Sequence, residues 1–337
     1  MARIFLTHIP DTLANYYGER ALAELRKLGE VRANQTDKVL DASALIEAAR
    51  GCEIVISDRQ TPGPAAFFAA APDVVAFLRV AVDIRNIDVD AASKAGVLVT
   101  HATPGFTASV AEMAVGMMVD LARGVSRSVL IYRGGELPEA KMGRQLKGST
   151  LGIIGYGEIG RYLAPIGIAL GMKVLVSDPF QKVESAALTQ TDLATLLAQS
   201  DFVVCLAVAN DKTENLMNAE TFARMKPSAF FINLSRGNLV DEAALMRALD
   251  AGTIAGAAMD VGRAPDQMPS PDLARRADII ATPHIGGLTP SAIEHQAFDT
   301  VRQAADLIAG RIPAGAVNAQ SASRLERFVA TREAKIS

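Results

Sequence analysis

Six residues in the middle of the chain have the spacing of a phosphate-binding turn. They are Gly155, Tyr156, Gly157, Glu158, Ile159 and Gly160, and they fit the pattern G-x-G-x-x-G. A predicted strand, residues 151–155, precedes the turn, and a stretch with helical apolar spacing, residues 158–170, follows it. In this context the glycines permit a tight turn, close approach of a pyrophosphate and close packing of helix on strand. The helix N-terminus adds free N–H groups and a positive dipole end, so we predict a dinucleotide site.

An acidic residue closes the next predicted strand, residues 173–177. Asp178 follows the first glycine by about twenty residues, where a carboxylate can accept hydrogen bonds from ribose hydroxyls. A 2′-phosphate would meet a like charge there, which favours NAD over NADP, although Lys182 stands nearby. The alternative interpretation is that Asp178 only caps the turn.

Two later polar segments also follow predicted strands. Asn233, Ser235 and Arg236 come at and after the end of residues 229–234, and His284 comes shortly after residues 278–281. Ligands collect at the carboxyl ends of parallel strands. We therefore expect both segments to face the place where a nicotinamide would lie.

The elements that position these residues alternate between strand-like and helix-like patterns, which predicts parallel sheets covered on both faces. In the first hundred residues the predicted strands are 3–6, 53–57, 74–80 and 97–100, and the predicted helices are 13–28 and 88–94. A mostly apolar helix over Thr107–Arg123 is predicted to be buried, and a loop over 133–149 follows it. The alternation then resumes with strands 151–155, 173–177, 201–206, 229–234, 254–260 and 278–281, and helices 158–170, 241–251 and 291–308. The last stretch, 318–337, is polar with an amphipathic patch at 325–329, and an arm and a disordered tail both remain open.

Composition excludes several classes of protein. With 337 residues the chain has room for about two domains, and its net charge of −3 and lack of tryptophan argue against nucleic-acid binding. The two cysteines, Cys52 and Cys205, are too far apart in sequence for a cysteine-based metal site, and we expect no metal. The apolar run at the N-terminus is too short for a signal peptide. The most apolar long stretch, 110–122, contains the charged residues Glu112 and Asp120, which argue against a membrane span. We therefore expect a cytoplasmic protein without a membrane span.

Several segments in order along the chain resemble the D-isomer-specific 2-hydroxyacid dehydrogenase family, which includes phosphoglycerate dehydrogenases and glyoxylate/hydroxypyruvate reductases. The matching segments are Asn86-Ile87-Asp88, Ser109-Val110-Ala111-Glu112, the glycine turn, 233–237 with Val240-Asp241-Glu242, 256–261 and 282–287. The resemblance implies an α/β fold of two Rossmann-like, doubly wound parallel-sheet domains. A flavodoxin-like substrate domain over 1–102 and 289–337 would be interrupted by an NAD-binding domain over 103–288. Members usually form homodimers through the NAD-binding domain.

The resemblance also implies residue roles. His284 would be the acid of reduction and the base of oxidation, since imidazole changes charge near neutral pH. Arg236 would hold the carboxylate of a 2-oxo acid with its planar, charged fork and polarise its carbonyl. Asp260 would contact the nicotinamide end of NAD, with Ser235, His284 and Gly286 also at the cofactor. Hydride would pass between nicotinamide and the substrate carbon.

The sequence departs from the family pattern where a glutamate usually pairs with the catalytic histidine. Pro265 stands at that position, and Asp266 follows it. Two interpretations remain open: Asp266 substitutes for the glutamate, or it is an ordinary loop residue. If no carboxylate touches His284, we expect reduction to weaken above about pH 6.5, where free histidine loses its proton.

The predicted substrate loop departs as well. Val82 and Asp83 lie where many members have a glycine-containing stretch whose amides bind the substrate carboxylate, and Asp83 would repel an acid unless it points away. Arg85 could compensate for the negative charge of Asp83 at the substrate, or it could form an exposed salt bridge instead. Phe106, where many members have asparagine, could wall the pocket or serve ordinary packing, and His101 has a weaker claim as a substrate contact.

Three functions remain open on the sequence alone. The first is an NAD-dependent oxidoreductase for a small D-2-hydroxy acid or 2-oxo acid such as glyoxylate or hydroxypyruvate. The second is a formate- or phosphite-type dehydrogenase, because those enzymes also vary around the histidine partner. The third is a low-activity NADH-sensing protein of the co-repressor type. Phosphoglycerate is not favoured, since no basic cluster accompanies Asp83.

Overall fold

The computed structural model describes residues 1–333 and divides into two compact units. The first unit consists of Met1–Gly105 together with the chain from Pro290 onward, and the second is Phe106–Thr289. Each unit is built around its own parallel sheet.

The strands of the first unit are β1 (Ala2–Leu6), β2 (Gly29–Ala33), β3 (Ile54–Ser57), β4 (Ala76–Arg79) and β5 (Leu98–His101). Those of the second are β6 (Thr150–Ile154), β7 (Lys173–Ser177), β8 (Thr189–Gln190), β9 (Phe202–Cys205), β10 (Phe230–Asn233), β11 (Gly256–Met259) and β12 (Ile279–Ala281). The strand orders, β2-β1-β3-β4-β5 and β12-β11-β10-β9-β6-β7-β8, are those of flavodoxin-like and dinucleotide-binding doubly wound sheets. The predicted fold class is confirmed.

The helices of the first unit before the second are α1 (Pro10–Tyr16), α2 (Glu19–Leu28), α3 (Ala42–Ala48), α4 (Ala65–Ala70) and α5 (Val89–Lys94). The second unit contains α6 (Thr107–Arg123), α7 (Val125–Arg133), α8 (Glu158–Ala169), α9 (Leu193–Gln199), α10 (Ala219–Ala223), α11 (Glu242–Asp250) and α12 (Pro271–Ala274). The chain returns to the first unit with α13 (Pro290–Ile308) and α14 (Ser323–Glu333). None of the helices within residues 1–333 is long and apolar enough to cross a membrane.

Central strands are buried along their whole length, as parallel sheets covered on both faces require. Every residue of β3 (IVIS) and of β9 (FVVC) is buried. Helix α6 buries only one face, which includes Val110, Ala114 and Met118, whereas Val119 is exposed. The prediction that this apolar helix is buried is therefore right for one face only.

The structure differs from the sequence prediction in several segments, and α3, α4, α7 and β8 were not predicted at all. The single helix over 13–28 is wrong, because Gly18 at φ +85° separates α1 from α2. Strand β2, which directly follows α2, was not predicted because its sequence alternates rather than forming an apolar run. The segment after 318 is neither an extended arm nor disordered as far as residue 333: the Asn318 side chain bonds the Val97 carbonyl and the Val99 amide, and Leu325 of α14 is buried. The rest of the predicted stretch, 334–337, lies outside the described residues.

A buried polar cluster occupies the carboxyl edge of the first sheet. It consists of His8 after β1, Asp58 and Thr61 after β3, and Arg79 at the end of β4, whose guanidinium donates to the Asp58 and Thr61 carbonyls. Burial lowers the pKa of His8 to about 4, the Asp58 charge opposes that shift and Arg79 adds to it. His8 is therefore a neutral core residue at neutral pH.

Candidate active site

The glycine turn lies where the order of the second sheet reverses, between β6 and β9. Gly155 has φ +96°, and a Cβ added there would lie 2.7 Å from the Ala207 Cα beyond β9. At Gly160 an added Cβ would lie 2.4 Å from the Gly155 carbonyl oxygen, so α8 packs directly on the turn. Both positions therefore require glycine for reasons internal to the protein.

Gly157 differs from its two neighbours. An added Cβ at Gly157 has no atom within 4 Å among the described residues, and the residue is exposed. It is also the N-cap of α8, and no side-chain hydrogen bond caps this N-terminus. An exposed, uncapped helix N-terminus beside an open glycine is suited to the pyrophosphate of a dinucleotide, so these residues fit the predicted group.

Asp178 lies immediately after β7, beside the turn. Its Oδ2 accepts from the Tyr156 amide at 2.7 Å, and its Oδ1 accepts from the Phe180 and Gln181 amides at 2.8 and 3.0 Å. The carboxylate therefore braces the glycine turn from the adjacent strand. The sequence left two interpretations of Asp178 open, a ribose contact and a cap of the turn. The bonds to the Phe180 and Gln181 amides are those of a cap, whereas the bond to Tyr156 in the glycine turn was not predicted.

The segment after β10 carries Ser235 and Arg236. The buried Asn233 side chain donates to the Arg236 carbonyl at 3.0 Å and accepts from the Ser235 amide at 3.1 Å. The Ser235 hydroxyl donates to the carbonyl of Ala207, beyond β9. The half-buried Arg236 guanidinium donates to the Ser235 carbonyl at 2.7 Å. Sequence reasoning missed the bracing function of Asn233.

Asp260 follows β11 and holds the segment that carries His284. Its buried carboxylate accepts from the Thr282 hydroxyl at 2.6 Å, from the Ile285 amide at 2.9 Å and from the Gly286 amide at 2.8 Å. The His284 amide also donates to the Asp260 main-chain carbonyl at 2.9 Å. Asp260 and His284 are therefore brought together, with Thr282 as a further contact that the sequence did not single out.

His284 is half-buried and has φ +57°. Its Nδ1 lies 2.9 Å from the main-chain carbonyl oxygen of Asp266. Pro265, at the position of the family glutamate, is exposed. The sequence weighed only the side chain of Asp266, whereas the contact with the imidazole is made by its backbone.

The remaining candidates occupy different units. Phe106 belongs to the second unit and packs against the His284 segment: a Cβ added to Gly287 would lie 3.1 Å from the Phe106 Cβ. Val82 and Asp83 belong to the first unit, and the Asp83 carboxylate is bound by the Arg85 Nη2 at 2.5 Å. That hydrogen bond raises the pKa of Arg85. The negative charge of Asp83 is therefore paired with Arg85.

Comparison with known proteins identifies the family. Residues 115–286 match the family model described as D-isomer specific 2-hydroxyacid dehydrogenase, NAD binding domain. The (S)-sulfolactate dehydrogenase of Chromohalobacter salexigens is 35% identical over 86% of this chain and 95% of that protein. The chain belongs to the D-isomer-specific 2-hydroxyacid dehydrogenase family.

Two further relatives of the family show how far the likeness extends. The D-3-phosphoglycerate dehydrogenase of a Synechocystis strain is 36% identical over 71% of this chain, and the chain spans only 44% of that relative's length. The NAD-complexed D-isomer specific 2-hydroxyacid dehydrogenase of Lactobacillus delbrueckii ssp. bulgaricus has a TM-score of 0.79 at 25% identity, over 94% of this chain and all of that one. The second unit therefore carries the NAD-binding domain of the family.

The two glycines of the turn give a matched test of cofactor binding. We predict that Gly157→Ala leaves the melting temperature unchanged but weakens NADH binding about tenfold or more, since the added methyl meets only the space left for the ligand. Gly160→Ala should lower the free energy of unfolding by about 1–3 kcal/mol through overpacking. Fluorescence titration with NADH and thermal unfolding check both. Unchanged NADH affinity in Gly157→Ala would place the pyrophosphate elsewhere.

Proposed function

We propose that the chain is an NAD-dependent D-2-hydroxyacid dehydrogenase that reduces a small 2-oxo acid such as glyoxylate or hydroxypyruvate. The observation that carries the proposal is the arrangement of Arg236 and His284 after β10 and β12, which flank β11 in the family's NAD-binding domain. A fixed cation and a titratable imidazole at one sheet edge are what reduction of a 2-oxo acid needs.

In this proposal Gly157 of the glycine turn and the first turn of α8 bind the pyrophosphate, Asp178 the ribose, and Ser235, Asp260 and Gly286 the nicotinamide end, while Gly155 and Gly160 shape the turn. Bound NADH supplies the hydride. Arg236 binds the substrate carboxylate and orients its carbonyl. His284 holds a proton at Nε2 and donates it to the carbonyl oxygen, so that an alkoxide never has to form free.

The substrate class follows from the charges of the predicted substrate loop. Arg85 is engaged by Asp83, and Arg79 is buried and donates to the Thr61 carbonyl and to Asn86 Oδ1 at 2.6 Å. These two cations therefore already have partners. We infer that Val82 and Asp83 serve an acid whose third carbon, if present, is uncharged.

The relatives favour a second candidate, a dehydrogenase for 2-hydroxy acids that carry an anionic group on the third carbon. The names of two of them contain phosphoglycerate and sulfolactate, which are three-carbon 2-hydroxy acids with an anionic group on the third carbon. A formate- or phosphite-type dehydrogenase is distinguished by oxidation of those donors with NAD. An NADH-sensing protein is distinguished by binding without turnover.

We predict that NADH oxidation is fastest with glyoxylate or hydroxypyruvate and slower with phosphohydroxypyruvate and sulfopyruvate. With the best 2-oxo acid, turnover should be slower when NADPH replaces NADH. His284→Gln should lower kcat/KM by about 10²-fold or more while NADH still binds, because the proton donor is lost. His295→Gln, in the first unit, is the matched control and should retain activity. Preference for the phosphorylated or sulfonated acid would favour the second candidate, and an active His284→Gln would remove His284 from the mechanism.

We also propose a homodimer in the cytoplasm, formed through the second unit. A run of exposed apolar side chains there includes Val125, Leu130 and Tyr132 of α7, with Leu137 and Met142 beyond it. We propose that a second copy of the same surface covers these side chains, since large exposed apolar areas on a protein mark interaction sites. Cys52 and Cys205 are buried and do not form disulfide bonds, which fits a reducing compartment.

The dimer is tested by light scattering after gel filtration. We predict a dimeric mass for the wild type and a monomeric mass for the double variant Leu130→Glu/Tyr132→Glu, since two carboxylates cannot be buried in an apolar interface. Ile312→Glu, at an exposed apolar residue of the first unit, should remain dimeric. A monomeric wild type would contradict the proposal.

A further inference from the structure

The imidazole of His284 is held by the protein backbone. We propose that the main-chain carbonyl of Asp266 is the positioning group of the catalytic histidine, in place of a carboxylate. Its oxygen lies 2.9 Å from His284 Nδ1. The inference rests on the proposed acid/base function of His284 and explains how a chain with Pro265 at the glutamate position can still orient that ring.

The carbonyl is presented by a tight turn. Asp266 and Gln267 both adopt left-handed backbone angles, with φ +58° and +59°. The Gln267 amide donates to the Ala264 carbonyl at 3.0 Å, and the Gln267 carbonyl accepts from the Gly262 amide at 2.8 Å. Two successive non-glycine residues in this conformation cost free energy, which surrounding contacts must offset. The direction of the Asp266 carbonyl is therefore determined by a closed hydrogen-bonded turn.

Backbone packing joins this turn to the segment that carries Arg236. A Cβ on Gly237 would lie 2.0 Å from the Gly262 carbonyl oxygen, and a Cβ on Gly262 would lie 2.4 Å from the Pro269 Cα. The loops after β10 and β11 thus touch through their main chains at positions where no side chain fits. A shift of the turn would consequently disturb the Arg236 segment as well.

The backbone of His284 is anchored by contacts other than the one that holds its ring. The His284 amide donates to the Asp260 carbonyl, and the following two amides donate to the Asp260 carboxylate. His284 itself adopts φ +57°, a left-handed angle that is uncommon for non-glycine residues but that histidine adopts more often than most. The backbone and the ring of His284 are therefore held by two different residues of the chain after β11, Asp260 and Asp266.

The chemistry of the partner decides the tautomer. A carbonyl oxygen can only accept a hydrogen bond, so Nδ1 must carry a hydrogen whether the imidazole is neutral or charged. Nε2 then exposes a lone pair in the neutral ring and an N–H in the imidazolium, which are the two states that proton transfer to and from a substrate oxygen needs. A carboxylate would give the same orientation and in addition pair with the imidazolium charge, whereas the carbonyl supplies orientation alone.

The tautomer can be read without any turnover. The chain has only four histidines, so ¹⁵N-histidine labelling gives few signals, and loss of one set in His284→Gln assigns the ring. At a pH where the ring is neutral, we expect the long-range ¹H–¹⁵N coupling pattern of an Nδ1–H tautomer for His284. A predominant Nε2–H tautomer in the wild-type protein would overturn the proposal.

A matched pair of substitutions tests the turn itself. Gln267→Gly keeps access to positive φ and should preserve the Nδ1–H tautomer and kcat, whereas Gln267→Pro forces φ near −65° and should turn the carbonyl away. We expect Gln267→Pro to give a mixture of tautomers and to lower kcat by about tenfold or more, with NADH affinity unchanged. An unaltered tautomer and kcat in folded Gln267→Pro would contradict the proposal; if that variant does not fold, the wild-type spectrum decides. Nδ1–H in a protein that turns over no 2-oxo acid would refute the proposed function and leave the positioning intact.

Discussion

The buried carboxylate of Asp260 is the interaction on which the candidate site depends. It accepts three hydrogen bonds, from the Thr282 hydroxyl and the Ile285 and Gly286 amides, and so fastens the segment after β12 to the end of β11. Hydrogen bonds to a charged group contribute about 1.5–3 kcal/mol each, and an unpaired carboxylate buried here would cost more than any one of them contributes. The position of His284 is thus set by a group that has little freedom to move.

Close main-chain contacts extend this rigidity across the sheet edge. Gly155 and Gly160 leave no room for side chains, so the turn after β6 packs against α8 and against the chain after β9. Gly237 and Gly262 join the segments after β10 and β11 in the same way. Gly157 alone among these glycines faces open space, which separates the position left for a ligand from the positions needed by the fold.

Much of this arrangement was predictable because parallel strands place their carboxyl ends at one edge. The glycine turn, Asp178, Arg236 and His284 each follow an apolar run, and that pattern suffices to bring them to the same edge of the second sheet. The Asp266 carbonyl was not predictable, since sequence reasoning ranks side chains and the left-handed angles of Asp266 and Gln267 leave no compositional signal. Strand β2 and helix α14 were missed because tertiary packing, rather than local apolar patterning, stabilises them.

The central claim is that the buried Asp260 carboxylate holds the segment that carries His284 in place for proton transfer in a 2-oxo acid reductase. The most direct test is kcat/KM of Asp260→Asn for NADH-dependent reduction of the best 2-oxo acid. The amide has the shape of the carboxylate but presents its N–H groups to the Ile285 or the Gly286 amide, so that at least one of these hydrogen bonds is lost and the segment can shift. The account predicts a loss of about 10²-fold, the scale expected when a catalytic group shifts by roughly 1 Å. A kcat/KM close to that of the wild type would contradict it.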